Sequence, residues 1–281
     1  MRENTITLKD GRKLGYAEFG NPKGPVIIYF HGTPGARNHP IALAIEGVAP
    51  FVRFIMVERP GYGLSDSNDG RTLEDWNNDF EEFVNQLDIP HFCLAAASGG
   101  APFALANCYF MPERIKRAAI ICGVGPLAVE ALLEKMGDTE KAWIKDSMHN
   151  PGQIIGNVAK IHADPHGYVQ GIFNSLQEEN QKMMSPAVVE AFLNLAFESS
   201  KSPYGMIDDG RTFLSEWNIP FEEISVPIQF WHGDQDSNVP ISHSEYVSSR
   251  IPHSKLIRME GIDHLAAPLQ SIPDTLKYLL R

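Results

Sequence analysis

Short, largely apolar runs recur along most of the chain, and several of them lead into a loop rich in glycine. These runs occupy residues 26–30, 54–57, 92–96, 118–122, 227–231 and 255–259. Each run is the length of a strand and apolar on both faces, which is typical of parallel strands buried between helices. Helical patterns separate most of them. The alternation therefore predicts an α/β fold in which a mostly parallel sheet has helices on both faces.

Turn and cap signals predict further elements. An Asp-Gly pair between two alternating segments in the first 20 residues predicts a β-hairpin. Thr72 with Asp75 three residues later approximates a capping box, and it predicts the start of a helix whose apolar residues repeat at helical spacing. Two later helices are predicted, one beginning at residues 239–240 and ending before Pro252, and one over 273–280.

One long interval departs from the strand–helix rhythm. Between about 125 and 225 the chain has no convincing apolar strand, only helical pieces separated by turn-forming pairs. An interval of ~100 residues greatly exceeds a single crossover connection, so ordinary crossover helices are a poor explanation. The sequence predicts a core formed by residues 1–124 and 225–281, with a helical cap (lid) inserted at 125–224 and folded over the edge of the sheet.

The charge balance excludes some classes of partner. Thirty-five acidic and 24 basic residues give a net charge of −11, which repels phosphate backbones and anionic lipid headgroups. No apolar run approaches the ~20 residues that a membrane span needs. The three cysteines, Cys93, Cys108 and Cys122, have no spacing typical of a zinc site and are interpreted as reduced core thiols. We therefore expect a cytoplasmic protein that binds neither nucleic acid nor membrane; its oligomeric state stays open.

Ser98 is the first candidate for chemistry. It ends the apolar run that starts at Phe92 and directly precedes Gly99, Gly100 and a helical segment. A strand, sharp turn and helix in this order hold a serine in an exposed, strained position. At the N-terminus of the helix, backbone dipoles favour a developing negative charge. The alternative is an ordinary N-cap serine.

The segment Ala96-Ala97-Ser98-Gly99-Gly100 resembles the nucleophile elbow of the α/β-hydrolase superfamily, G-x-S-x-G, with Ala96 in place of the first glycine. The loop that begins at His31, with sequence HGTPG, resembles the oxyanion loop of the same family. The resemblance implies that the backbone N–H groups of Thr33 and Gly99 stabilise an oxyanion. His31 itself is expected to orient the loop through hydrogen bonds.

Two late loops resemble the family's acid and base segments. The sequence HGDQDSNVP resembles H-G-x-x-D-x-x-V-P and points to Asp236 rather than Asp234 as the acid, and GIDH resembles the family's final motif and points to His264 as the base. The order Ser98, Asp236, His264 is that of the hydrolase fold. The segment ERPGYGLSD also matches a family segment, with Glu58 in place of aspartate, and is given a structural role.

Other constellations are weak. His162 and His166 have the spacing of two ligands on one helix face, but Pro165 between them is expected to break the helix, so no metal is predicted. Asp208-Asp209-Gly210 is interpreted as a turn or cap. No glycine loop has a phosphate-binding fingerprint, and no cofactor is required.

The resemblance implies a serine hydrolase that is carboxylesterase-like, cleaving an ester or related acyl bond of a small to medium, partly hydrophobic substrate. At least half of the large apolar side chains of the predicted cap are expected to pack against the core, and some to face the cleft. They are Leu127, Leu132, Leu133, Met136, Trp143, Ile144, Met148, Phe173, Met183, Met184, Phe192, Leu195, Phe197 and Met206.

Alternatives on this fold are an aminopeptidase similar to proline iminopeptidase, a carbon–carbon bond hydrolase, a lactonase, or a lyase or cyclase. A non-catalytic ligand-binding receptor is the alternative from another class.

Overall fold

A single eight-stranded sheet organises the molecule. The computed structural model describes residues 1–176, 178–182 and 185–281. The strands follow one another across the sheet in the order β1-β2-β4-β3-β5-β6-β7-β8. Their bounds are β1 Arg2–Thr7, β2 Lys13–Gly20, β3 Val26–Phe30, β4 Arg53–Val57, β5 Phe92–Ala97, β6 Ile115–Ile121, β7 Ile228–Gly233 and β8 Ser254–Met259.

The sheet is mostly parallel, as the sequence predicts. The predicted hairpin forms: β1 pairs with β2 antiparallel, and β2 pairs with β4 antiparallel. From β4 onward every neighbouring pair is parallel. The carboxyl ends of these parallel strands therefore meet along one edge of the sheet. In open α/β sheets this edge is where ligands bind.

Helices cover both faces of the sheet because the strands are apolar on both faces. Ile28 and Phe30 of β3 belong to a cluster with Trp76, whereas Ile27 and Tyr29 of the same strand belong to a second cluster on the opposite face. The covering helices are α1 Ile41–Val48, α2 Leu73–Gln86, α3 Ala101–Phe110, α11 Ser242–Ser248, α12 Ala266–Gln270 and α13 Ile272–Leu279. The strand and helix expectations are confirmed, although α11 begins two residues after Pro240. The three cysteines are free and buried.

Residues 125–224, here named the helical segment, connect β6 to β7. In the part of this segment that the structure describes, helices are present and strands are not, as predicted. They are α4 Glu130–Leu133, α5 Asp138–His149, α6 Pro151–Ala163, α7 Pro165–Ser175, α8 Glu178–Gln181, α9 Pro186–Ser199 and α10 Tyr204–Leu214. That these residues form a separate cap stays a prediction.

The apolar side chains of the helical segment lie in different surroundings, and which of them face a cleft stays a prediction. Leu127, Leu132, Met136 and Ile144 are buried in the same cluster as the strands. Met148 and Phe197, in contrast, are exposed. Met183 and Met184 lie outside the described residues. None of the helices in the described chain is long and apolar enough to cross a membrane.

Helix α2 starts with the predicted capping box. The hydroxyl of Thr72 accepts a hydrogen bond from the backbone N–H of Asp75 at 3.1 Å, and the carboxylate of Asp75 accepts one from the backbone N–H of Thr72 at 2.9 Å. Reciprocal bonds of this kind satisfy two donors that the first turn of a helix otherwise leaves open.

We predict that Thr72→Ala lowers the free energy of unfolding by about 1 kcal/mol, because the first turn of α2 loses its side-chain cap. Urea titration followed by tryptophan fluorescence measures this change. Thr72→Ser keeps the hydroxyl and is the matched control. Equal losses in the two variants would show that the methyl group, not the cap, stabilises this end of the helix.

Candidate active site

Ser98 lies at the sharp turn between β5 and α3. Its backbone has a φ of +51°, the left-handed region that non-glycine residues rarely adopt. The turn continues as a single 3₁₀ turn, Ser98–Gly100, directly into α3. A Cβ at Gly100 would lie 2.5 Å from the carbonyl oxygen of Phe30 at the end of β3, so only glycine fits there. The small residues thus let the turn pack against the neighbouring strand while the serine side chain projects from it.

His264 and Asp236 reach Ser98 from the loops that follow β8 and β7. Nε2 of His264 lies 2.9 Å from Oγ of Ser98, and Nδ1 lies 2.7 Å from Oδ2 of Asp236. Because an ionised carboxylate only accepts hydrogen bonds, Nδ1 carries a proton and donates it to Asp236. Nε2 is then free to accept the hydroxyl proton of Ser98. The structure therefore brings the three residues predicted from the sequence into one hydrogen-bonded chain.

Asp236 is buried but held in its charged form. Its Oδ1 accepts hydrogen bonds from the backbone N–H groups of Asn238 at 3.1 Å and Val239 at 2.9 Å. Burial alone would raise the pKa of Asp236, but the charge of His264 and hydrogen bonds from His232 and His264 outweigh burial and lower this pKa below its ordinary value. Burial likewise opposes the charged form of His264, yet the neighbouring Asp236 raises the pKa of His264 above 6.5.

His232 is a second histidine against the candidate acid, and the sequence analysis gave it no role. Its ring is fully buried, with Nε2 3.3 Å from Oδ2 of Asp236 and 2.7 Å from the carbonyl oxygen of Val239. Nδ1 lies 2.7 Å from the hydroxyl of Ser244. A carbonyl accepts only, so Nε2 carries the proton and Nδ1 accepts from Ser244. The signal in the sequence was the histidine of HGDQD, which lies on β7 itself.

The loop after β3 packs directly against the turn that carries Ser98. A Cβ at Gly32 would lie 3.3 Å from Cβ of Ser98, and a Cβ at Gly99 would lie 2.2 Å from Oγ1 of Thr33. The backbones of the two loops can approach this closely only because both positions are glycine. Thr33 and Gly99 are therefore neighbours beside Ser98; that their backbone N–H groups form an oxyanion hole stays a prediction.

His31 is buried and orients the same loop, as expected from the sequence. Its Nε2 accepts a hydrogen bond from the backbone N–H of Arg59 at 3.2 Å, and its Nδ1 lies 2.8 Å from the carbonyl oxygen of Gly32. Burial, together with the charge of Arg59, lowers the pKa of His31 well below 6.5. His31 is thus neutral, with its proton on Nδ1.

The segment that contains Glu58 and Ser65 makes structural contacts. The hydroxyl of Ser65 donates to the carbonyl oxygen of Glu58 at 2.8 Å and accepts from the backbone N–H of Gly15 at 2.8 Å. The carboxylate of Glu58 is fully buried and pairs with Arg37 at 2.8 Å. Arg37 also pairs with Glu198 of α9 at 2.7 Å, which ties the helical segment to this loop.

The interpretation of Asp208-Asp209-Gly210 as a turn or cap is wrong. All three residues are buried inside α10, where Asp209 pairs with Arg59 at 2.6 Å and with Arg71 at 2.5 Å. Asp-Asp-Gly is a turn signal only when water solvates the carboxylates. Here Arg59 and Arg71, which lie more than 100 residues away in the sequence, pair with the carboxylates of Asp208 and Asp209. These ion pairs allow the two aspartates to be buried.

The histidine pair that the sequence analysis rejected as a metal site is divided between two helices. Helix α6 ends before Pro165, so His162 and His166 lie on different helices; the ring of His162 stacks on that of Phe197 with centroids 4.8 Å apart. Cys122 is a closer neighbour of the candidate triad. Its sulfur and ligand atoms of Asp236 and His264 lie within 4.8 Å of one another. Burial raises the pKa of the Cys122 thiol, and Asp236 and His264 already bind each other.

Comparisons with known proteins bear on the family and the fold of the chain. The model of the alpha/beta hydrolase fold family matches residues 25–268. The chain is 24% identical over 263 residues to a bifunctional esterase/perhydrolase of Acinetobacter calcoaceticus, with 92% of each chain covered. It is 27% identical to a proline iminopeptidase of Neisseria gonorrhoeae, but over only 40% of this chain and 36% of that one. An esterase structure from Exiguobacterium antarcticum aligns with a TM-score of 0.70 at 18% identity, covering 100% of both chains.

The raised pKa of His264 predicts how hydrolysis of an activated test ester should depend on pH. His264 accepts a proton only when it is neutral, so kcat/KM for an activated ester rises with pH, with a midpoint above the ordinary histidine value of 6.5. Asp236→Asn removes the charge that raises this pKa, so the midpoint moves down. A pH series of kcat/KM for both proteins measures the shift. An unchanged midpoint would show that the charge of Asp236 does not raise the pKa of His264.

The two aspartates of the loop after β7 should differ in their effect on rate. Asp236→Asn is expected to lower kcat on the order of 10⁴-fold, because the histidine loses its orienting carboxylate and its correct tautomer. Asp234→Asn is the matched control: among the described residues, Oδ1 of Asp234 accepts from the backbone N–H of Gly261 at 2.8 Å and from the side chain of Gln235. The opposite order of effects would assign the acid to Asp234.

Proposed function

We propose that this chain, which belongs to the alpha/beta hydrolase fold family, is a serine hydrolase that cleaves carboxylic esters through an acyl-enzyme. The observation that carries the proposal is the continuous hydrogen-bonded chain from Ser98 through His264 to Asp236, at 2.9 and 2.7 Å. Nucleophile, base and orienting acid at these separations are the arrangement that activates a serine hydroxyl. A binding protein without catalysis would need neither the strained serine nor its aligned base.

The reaction follows from the protonation states. His264 takes the proton of Ser98 as Oγ attacks the ester carbonyl carbon, and the carbonyl electron pair moves to oxygen. The backbone N–H groups of Thr33 and Gly99 donate hydrogen bonds to that oxyanion. His264 returns the proton to the departing alcohol, which leaves Ser98 acylated. Water, deprotonated by His264, then attacks the acyl carbon and releases the acid and Ser98.

Asp236 supports both halves of the cycle electrostatically. Its charge stabilises the imidazolium that forms on His264 each time a proton is taken. Backbone donors and His232 hold the carboxylate, so it does not have to reorganise during the reaction. Fixed groups of this kind contribute more in a buried site than they would in water.

The surroundings favour an ester with hydrophobic parts over a charged peptide. The ring of Phe213 from α10 lies against Gly99, and a Cβ there would be 2.9 Å from Cζ of that ring. An aminopeptidase needs a carboxylate free to bind the substrate amine. The two fully buried carboxylates in the described part of the helical segment, Asp208 and Asp209, are both paired with arginines. The relatives named as esterases are consistent with this choice.

The nucleophile assignment predicts the behaviour of Ser98→Ala. This variant should fold normally, since it loses one oxygen, and should lose at least about 10³-fold of kcat toward a short-chain nitrophenyl ester. Ser65→Ala is the control, because Ser65 lies outside the hydrogen-bonded chain. Initial rates measure both variants, with circular dichroism as the folding check. Full activity of Ser98→Ala would refute the proposal.

A substrate panel tests the ester assignment. Short- and medium-chain esters, a lactone, an aminoacyl amide of proline and a vinylogous diketone should be compared at equal concentration by kcat/KM. We expect the esters to be the best substrates, with the aminoacyl amide at least about tenfold poorer, because the two buried carboxylates of the described helical segment, Asp208 and Asp209, already pair with arginines. Preference for the proline amide would assign an aminopeptidase instead. Preference for the lactone or the diketone would retain Ser98 as nucleophile but change the substrate class.

A further inference from the structure

Asp209 of the helical segment contacts the loop that carries one proposed oxyanion donor. Its Oδ2 accepts a hydrogen bond from Oγ1 of Thr33 at 2.5 Å and another from the hydroxyl of Tyr62 at 2.9 Å. The carboxylate has no exposed surface. Thr33 and Asp209 are 176 residues apart in the sequence, so this contact exists only because α10 folds onto the loop after β3.

Arg59 extends the contact to the backbone of the same loop. Its guanidinium donates to the carbonyl oxygens of His31 and Gly32 and to Oγ1 of Thr33 at 3.1 Å. Asp209 in turn accepts from Arg59 at 2.6 and 3.2 Å, which fixes the plane of the guanidinium. Three consecutive residues of the loop are therefore held by one arginine whose own position is set by Asp209.

The carboxylate is itself held from several directions. Besides Thr33, Tyr62 and Arg59, Arg71 donates to Oδ1 at 2.5 Å. Each oxygen therefore has at least two donors, and a bidentate, charge-assisted pair is geometrically specific. These donors fix the position of the Asp209 carboxylate, and its bonds to Thr33 and Arg59 in turn fix the position of the loop after β3.

The same helix also contacts the second proposed donor. Phe213 lies four residues after Asp209 in α10, so the two side chains share one face of the helix. Asp209 contacts Thr33, while the ring of Phe213 lies against Gly99. One face of α10 therefore touches both residues whose N–H groups would bind the oxyanion.

We infer that Asp209 is a positioning residue that sets the geometry of the oxyanion hole through Thr33 and Arg59, so that the helical segment completes the site. The inference rests on the proposed function. It follows from the geometric demand of such a site: donors must lie about 2.7–3.1 Å from the oxygen that becomes charged, and a displaced donor loses much of its effect. Asp209 touches no substrate itself.

Asp208 provides a matched control within the same helix. It is also buried and also lies near Arg71, at 3.4 Å. Its other described partners are the backbone N–H of Gly70 and the side chain of Arg211, and neither belongs to the loop after β3. Removing its charge therefore disturbs the same helix and Arg71 but breaks none of the described contacts of Thr33 or Arg59.

The experiment compares Asp209→Asn with Asp208→Asn in the full chain. The probe is an alkyl trifluoromethyl ketone: Ser98 Oγ bonds to the ketone carbon, the carbonyl pair moves to oxygen, and the serine proton passes to His264. This adduct places an oxyanion where the transition state does. The corresponding secondary alcohol cannot add to Ser98 and reports ground-state binding.

For Asp209→Asn we expect kcat/KM and the affinity for the ketone to fall together, by about tenfold or more, with the affinity for the alcohol within about twofold of the original protein. For Asp208→Asn we expect all three to stay within about twofold, measured well below the melting temperature of each variant. Equal losses in the two variants, or a loss of alcohol binding equal to that of the ketone, would overturn the inference.

Thr33→Val keeps the test decisive if Asp209→Asn does not fold. This substitution keeps the branched side chain and replaces with a methyl group the hydroxyl that links the loop to Asp209 and Arg59. It should weaken the ketone at least about tenfold and leave the alcohol unchanged; an unchanged ketone affinity would overturn the inference. Failure of the proposed function is distinguishable, since the original protein would then neither hydrolyse esters nor form the ketone adduct.

Discussion

A buried ion pair between Arg59 and Asp209 joins the helical segment to the sheet, and much of the site depends on it. Both side chains are fully buried, so neither charge could remain there alone. Removing Asp209 is expected to cost about 3–5 kcal/mol, because the buried guanidinium of Arg59 would lose the carboxylate with which it pairs. The helix that carries Asp209 is therefore held firmly over the loops after β3 and β4, and those loops are in turn held against the turn that contains Ser98.

The site as a whole arises from the parallel sheet. Ser98, Asp236 and His264 follow β5, β7 and β8, while Thr33 and Arg59 follow β3 and β4. Parallel strands bring all of these loops to one edge, where short side chains can meet across more than 160 residues of sequence. The sheet determines where these residues lie relative to one another. The glycines at positions 32, 99 and 100 allow the loop backbones to approach closely enough for the hydrogen bonds of the site.

Local patterns predicted most of the fold, and the resemblance of three loops to family motifs pointed to the members of the candidate triad. Apolar runs specify strands because both faces of the sheet are covered, and the capping box at Thr72 is a contact between near neighbours in the chain. Asp209 was misinterpreted for the opposite reason. Its partners, Arg59 and Arg71, are distant in sequence, and an Asp-Asp-Gly segment is indistinguishable from a solvated turn until those arginines are placed. The contact between His232 and Asp236 was not predicted either, because it depends on how the loop after β7 folds back on that strand.

The central claim is that Ser98 forms an acyl-enzyme during ester cleavage. Rapid acid quench after mixing with nitrophenyl acetate, followed by intact-mass and peptide analysis, observes that intermediate directly. The account predicts a product burst of about one equivalent per chain whenever deacylation is slower than acylation, with the mass of one acetyl group on the peptide that contains Ser98. Turnover accompanied by an acetyl group on another residue, or by an unmodified Ser98 under conditions that produce a burst, would contradict it.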